Sequence, residues 1–191
     1  MQKLSNGVAN YEDLIKENRI YVDKTNYIEK MEQLPDKTLM FLRPRKFGKT
    51  LFTSTLECYY DKNKENKFDE LFKNTYIGKN PTKNKNRYCI LRFNFSGIST
   101  ETLEETRKGF NREVASSIEL FVGKYKMDFF VNRNDEAEGI LDNLFKAFLL
   151  QKPNDNIYVK IDEYDHFANE LLGFRTDEFK NLLAKNGKIR K

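Results

Sequence analysis

The sequence predicts an α/β fold, a parallel sheet with flanking helices, and three observations carry that expectation. Short apolar runs fall at residues 38–42, 88–95 and 157–161, and long segments separate them. The runs are nearly continuous in apolar character, as strands covered on both faces require. The segments after the first two carry apolar residues at helical spacing.

Each element has its own local reason. Thr38-Leu39-Met40-Phe41-Leu42 reads as a buried strand. Lys49 to Tyr60 contains neither Pro nor Gly and reads as a helix. Tyr88 to Phe95 is rich in aromatic and β-favouring residues and reads as the second strand. Ser99 or Thr100 is placed to cap a helix with Leu103, Phe110, Val114, Ile118 and Phe121 on one stripe. Glu136 to Leu150 carries Ile140, Leu141, Leu144, Phe145 and Phe148 on one face. Ile157 to Ile161 is the third strand. Lys160 within it reads as an edge position, or as a side chain that snorkels out past a helix layer. Thr176 caps a final helix with Phe179, Leu182 and Leu183, which Gly187 stops. Lys62–Lys67 and Asn80–Asn86 read as polar loops, and Pro153–Asn156 as a turn.

At 191 residues the chain reads as one domain spanning 1–191. Sixteen Phe and ten Tyr exclude a disordered polymer, although mean hydropathy is −0.75. No apolar run approaches the ~18 residues of a membrane helix. The first residues carry no apolar signal segment. Cys58 and Cys89 form no disulfide framework or zinc knuckle, and one His excludes a His-rich metal site. A cytoplasmic location is therefore expected.

Net charge is +5, and the excess is clustered. Lys37, Arg43, Arg45, Lys46 and Lys49 lie in an acid-free stretch, and so do Lys79, Lys83, Lys85, Arg87 and Arg92. Four more cations fall in residues 185–191. Such clusters are solvated faces or nucleic-acid contacts.

A motif explains the first cluster. Arg43-Pro44-Arg45-Lys46-Phe47-Gly48-Lys49-Thr50 ends a predicted strand and opens a predicted helix. That is where a P-loop (Walker A) belongs, and Gly48-Lys49-Thr50 matches its ending. Arg43 stands where the general pattern has Gly, and Pro44 offers no N–H. Backbone N–H groups entering a helix form an anion site, and Gly48 lets phosphate approach. Arg45, Lys46, Phe47, Gly48, Lys49, Thr50 and Leu51 are the expected nucleotide-binding residues. Lys49 reaches the phosphates and the Thr50 hydroxyl is suited to Mg²⁺.

A second motif supports the first. Ile157–Ile161 leads into Asp162-Glu163, the form of a Walker B strand. An acid at the carboxyl end of a parallel strand sits at the ligand edge of the sheet. Asp162 is the expected metal ligand and Glu163 the general base. Either motif alone is weak, since a Lys-rich chain produces Gly-Lys-Thr by chance and an acid cluster often only starts a helix. The pairing of the two is what points to ATP and Mg²⁺.

With Tyr21-Val22-Asp23-Lys24-Thr25, Leu42 to Thr50, Tyr59-Tyr60-Asp61 and Ile161-Asp162-Glu163-Tyr164-Asp165, the chain resembles the bacterial AAA-ATPase-like family over nearly its whole length. Many members carry a nuclease-like region of the PD-(D/E)XK type after the ATPase module. In that family a P-loop without its first Gly is usual. The resemblance implies an additional-strand (ASCE-type) P-loop fold. Only one predicted helix follows Glu163 before Lys191, so the reading expects an N-terminal part of that fold, with later core strands missing. Weak or no hydrolysis, and sheet edges prone to self-association, follow from it.

Asp23-Lys24-Thr25 reads either as nucleotide-adjacent or as a helix cap at Thr25. His166 reads as a loop histidine, and Tyr59-Tyr60 as core. The function expected is an ATP–Mg²⁺-binding module of a predicted AAA-like ATPase. The alternative is a non-hydrolysing nucleic-acid-binding or interaction module that uses the basic clusters.

Overall fold

The computed structural model describes residues 3, 7–42, 47–99 and 101–163. Arg43–Lys46, Thr100, Tyr164, Asp165, His166, the final helix and the basic tail lie outside the described residues.

The elements are α1 (Tyr11–Lys16), α2 (Asn26–Glu32), α3 (Lys49–Tyr60), α4 (Phe68–Phe72), α5 (Tyr76–Lys79), β1 (Tyr88–Asn94), α6 (Leu103–Tyr125), α7 (Ala137–Gln151) and β2 (Asn156–Asp162). β1 and β2 pair in parallel. A parallel pair needs a long crossover, and α6 and α7 supply it. Among the described residues the chain is thus a mixed helix-and-strand protein with a two-stranded parallel sheet. It divides into two compact units, Met1–Ile90 with Asp155–Lys160 and Leu91–Asn154 with Ile161–Lys191. Each strand runs from the first unit into the second.

In the first unit, Tyr11, Ile28, Leu56, Tyr59, Phe72, Ile77 and Ile90 bring five helices and β1 to one core. Each such side chain gains about 1.5–3 kcal/mol by leaving water. Tyr11 stacks on Phe72 at 5.1 Å, and Tyr59 meets Phe72 edge-on at 5.7 Å. The buried Tyr11 hydroxyl donates to the Leu71 carbonyl at 2.7 Å, so its polar end is satisfied. A Cβ on Gly78 would lie 1.8 Å from the Phe72 carbonyl oxygen, so α5 closes on α4 only through glycine. Both cysteines are buried, and burial pushes the Cys58 thiol up to about 12.

Two expectations fail here. Residues 38–42 are described and form no strand. Met40 and Leu42 are 66% and 77% exposed, and only Phe41 reaches the core, edge-on to Phe52 at 5.7 Å. Apolar content does not make a strand without a ladder partner, and this segment has none among the described residues. Lys62–Lys67 is a 3₁₀ helix rather than a loop, opened by Asp61, whose side chain accepts the Asn63 N–H at 3.0 Å.

In the second unit, α6 packs on α7. Val114, Ile118 and Phe121 face Ile140, Leu144 and Phe148 as buried rows, and Phe121 meets Phe148 at 6.0 Å. Phe145 is 40% exposed, because it lies about 100° round the helix from the Ile140–Leu144–Phe148 row. The cap of α6 is Thr102, not Ser99 or Thr100. Its hydroxyl accepts the Glu105 N–H at 3.1 Å, and the Thr102-x-x-Glu105 pattern is a capping box.

Candidate nucleotide-binding site

The Gly48-Lys49-Thr50 segment forms a helix start. α3 begins at Lys49, the residue the sequence predicts. Its N-cap, Gly48, has φ 76° and ψ 18°, a left-handed conformation that costs a residue with a Cβ about 1–2 kcal/mol. An added Cβ at Gly48 meets nothing within 4 Å among the described residues, so the requirement for glycine there is conformational.

The first turn of α3 leaves backbone N–H groups without intrahelical partners, and no acid lies in that turn. By contrast, Glu12 and Asp13 occupy the first turn of α1, and Glu104 and Glu105 that of α6. Lys49 and Thr50 are half-buried at the open end, and Phe47 is 61% exposed. Leu51 packs against the first unit's core and holds the turn in place. Arg45 and Lys46 lie outside the described residues.

The acidic half of the motif lies at the end of β2. Asp162 is 7% exposed, and its Oδ1 accepts the Glu163 N–H at 3.1 Å. Glu163 has φ 52°, a left-handed conformation uncommon for a residue with a side chain. Such outliers gather at functional sites. The two halves are carried by different compact units, Gly48–Leu51 by the first and Asp162–Glu163 by the second.

Sequence reasoning missed what surrounds these motifs. Lys160 neither lies at an exposed edge nor snorkels outward: it is buried, 3.5 Å from Glu57 of α3. Nearby on the same helix, Tyr60 stacks on Tyr158 of β2 at 4.9 Å. The helix that begins at the Gly-Lys-Thr turn is thereby fixed to the strand that leads to Asp162. A Glu on the predicted helix and a Lys inside an apolar strand were the available signals.

The Asp23-Lys24-Thr25 segment is a clamp. Asp23 Oδ1 accepts the Thr25 N–H at 2.8 Å, and its Oδ2 accepts the Tyr76 N–H at 2.7 Å. Buried Thr25 makes no side-chain cap to its own helix; its hydroxyl accepts the Ile77 N–H at 3.1 Å. These bonds tie α5 to the start of α2.

A parallel strand pair with a helical crossover, a glycine-turned helix start and an acid at a strand's carboxyl end are features of α/β nucleotide-binding modules as a class. The chain belongs to the predicted AAA-ATPase family, whose model matches residues 5–187. No curated protein and no solved structure matches it.

Proposed function

We propose that this chain binds ATP with Mg²⁺ and turns it over weakly or not at all by itself. The observation that carries the reading is the acid-free start of α3, entered through left-handed Gly48 and followed at once by Lys49 and Thr50. Unpaired N–H groups and the helix dipole favour phosphate there. Lys49 adds a charge-assisted contact to the outer phosphates.

Each motif carries an oxygen donor of a kind suited to Mg²⁺. The Thr50 hydroxyl and the Asp162 carboxylate are hard oxygen ligands of the kind that ion takes, and thiols are absent from both motifs. Bound Mg²⁺ would offset charge on the phosphate oxygens. Asp162 orients the next residue by accepting its N–H. In this reading Glu163 holds a water for attack and takes its proton. Weak turnover belongs to the proposal because phosphoryl transfer needs several charge-stabilising groups acting together. The two motifs supply one lysine, two metal donors and one base.

Titration calorimetry with ATP and Mg²⁺ tests it. Loss of a charge-assisted contact costs ~1.5–3 kcal/mol, so Lys49→Ala should weaken binding roughly 10- to 150-fold. Equal affinity in wild type and variant would sink the assignment. Phosphate release by wild type should be near background, and Glu163→Gln should lower any residual rate without weakening ATP. A wild-type rate on the order of 1 s⁻¹ would overturn the weak-turnover part.

A further inference from the structure

Several cations of the first unit are engaged in ion pairs. Lys16, Lys64 and Lys67 all pair with Glu12. Lys62 pairs with Asp155 at 2.6 Å, and Lys160 with Glu57. The loop after α5 differs. Lys83 and Arg87 make no ion pair among the described residues. Lys85 lies over the Phe68 ring at 4.3 Å. With Glu65, Thr82 and Asn86 these residues line an open pocket of about 450 Å³, three cations against one carboxylate.

This loop is held from beneath. The Tyr59 hydroxyl accepts the Thr82 N–H at 2.8 Å, and the Thr82 hydroxyl donates to Glu32 at 2.9 Å. The Asn86 N–H donates to the Tyr59 carbonyl at 3.0 Å, and its Nδ2 donates to the Asp61 carbonyl at 2.8 Å. Asn86 is 9% exposed with φ 52°, and its Oδ1 has no donor among the described residues. That buried acceptor is a cost the loop carries, offset by the two hydrogen bonds Asn86 donates. The anchors Tyr59 and Asp61 lie at the far end of α3 from Gly48, about 18 Å along a 12-residue helix. The pocket is therefore separate from the nucleotide motif.

We propose that this pocket binds the phosphodiester backbone of a nucleic-acid strand, with Lys83 and Arg87 on phosphates and Asn86 holding the loop between them from beneath. Anchoring fixes the loop before binding, which lowers the ordering cost. Free phosphate shares the chemistry. A strand fits better because cations at 79, 83, 85 and 87 spread over more chain than one phosphate can meet.

The test is fluorescence anisotropy with a labelled single-stranded oligonucleotide of about twenty residues, longer than typical strand sites. At roughly 100 mM salt, Lys83→Glu/Arg87→Glu should weaken binding at least ~10-fold, and its salt slope should fall by about 1–2. Both side chains are exposed, and unchanged circular dichroism confirms the fold. Lys49→Ala should leave the oligonucleotide affinity unchanged, so failure of the nucleotide proposal does not touch this one. No binding by wild type, or a double variant with unaltered affinity and slope, overturns the proposal. Loss of binding in Lys49→Ala instead assigns the strand to α3's start and also overturns it. Displacement of the strand by millimolar inorganic phosphate (about the range of weak anion sites), with phosphate stabilising wild type but not the double variant, assigns a free-anion site and overturns the strand.

Discussion

β1 and β2 are paired strands of seven residues each, yet they bury opposite kinds of side chain. In β1, Cys89, Ile90, Leu91 and Phe93 are buried and Arg92 is exposed. In β2, Lys160 and Asp162 are buried, while Val159 and Ile161 are 45% and 51% exposed. β1 follows the rule that apolar residues go inward. β2 inverts it over its last four residues, immediately before Glu163. Buried charge is costly unless paired, and the Glu57–Lys160 contact offsets that cost in β2. The contrast separates a strand made by packing from one that positions polar groups.

The largest expected effect tests the packed strand. Leu91 is fully buried, and Leu91→Ala should cost about 2–5 kcal/mol through lost transfer energy and a cavity. Urea denaturation followed by circular dichroism measures it. A loss below ~1 kcal/mol would show that β1 is not core and would end the contrast.

The next effect tests the polar strand. Lys160→Met keeps the stem but leaves Glu57 without this ammonium. The Glu57 side chain is 25% exposed, so water shares the cost, and about 1–2 kcal/mol is expected rather than the ~3–5 of a fully buried pair. Lys160→Met/Glu57→Gln should recover most of the loss, because replacing both partners removes the stranded charge. A double variant no better than the single would mean that the pair is not coupled.

This inversion also marks how far the sequence could be read. The helix α3 was legible to the residue, because Gly48 sets its start and no breaker interrupts it. The long helices α6 and α7 and both strands were legible from periodicity. The short helices α1, α2, α4 and α5 run four to seven residues, too few turns to show a period. Residues 38–42 misled, since an apolar run looks the same whether or not a neighbour pairs with it. The candidate site is read from the sequence as two motifs, Gly48-Lys49-Thr50 and Asp162-Glu163. Its support is not, because the Glu57–Lys160 contact and the Asp23–Thr25 clamp join residues 103 and about 53 positions apart.

The smallest effect tests the exposed face of β2. Val159 is about half exposed, and Thr has nearly the same shape and a similar preference for strands. At a buried position the added hydroxyl would be costly without a partner. At this exposed position it meets water, so Val159→Thr should change stability by no more than ~0.5 kcal/mol. Leu91→Thr, by the same reasoning, should cost several times more, since its hydroxyl enters the core. The ratio of the two is the informative quantity, because both substitutions put the same side chain into paired strands of one sheet. A Val159→Thr loss above ~1.5 kcal/mol in the same urea titration would show that this face is covered in solution. This face of β2 would then be covered, and the inversion would reduce to its two charged residues.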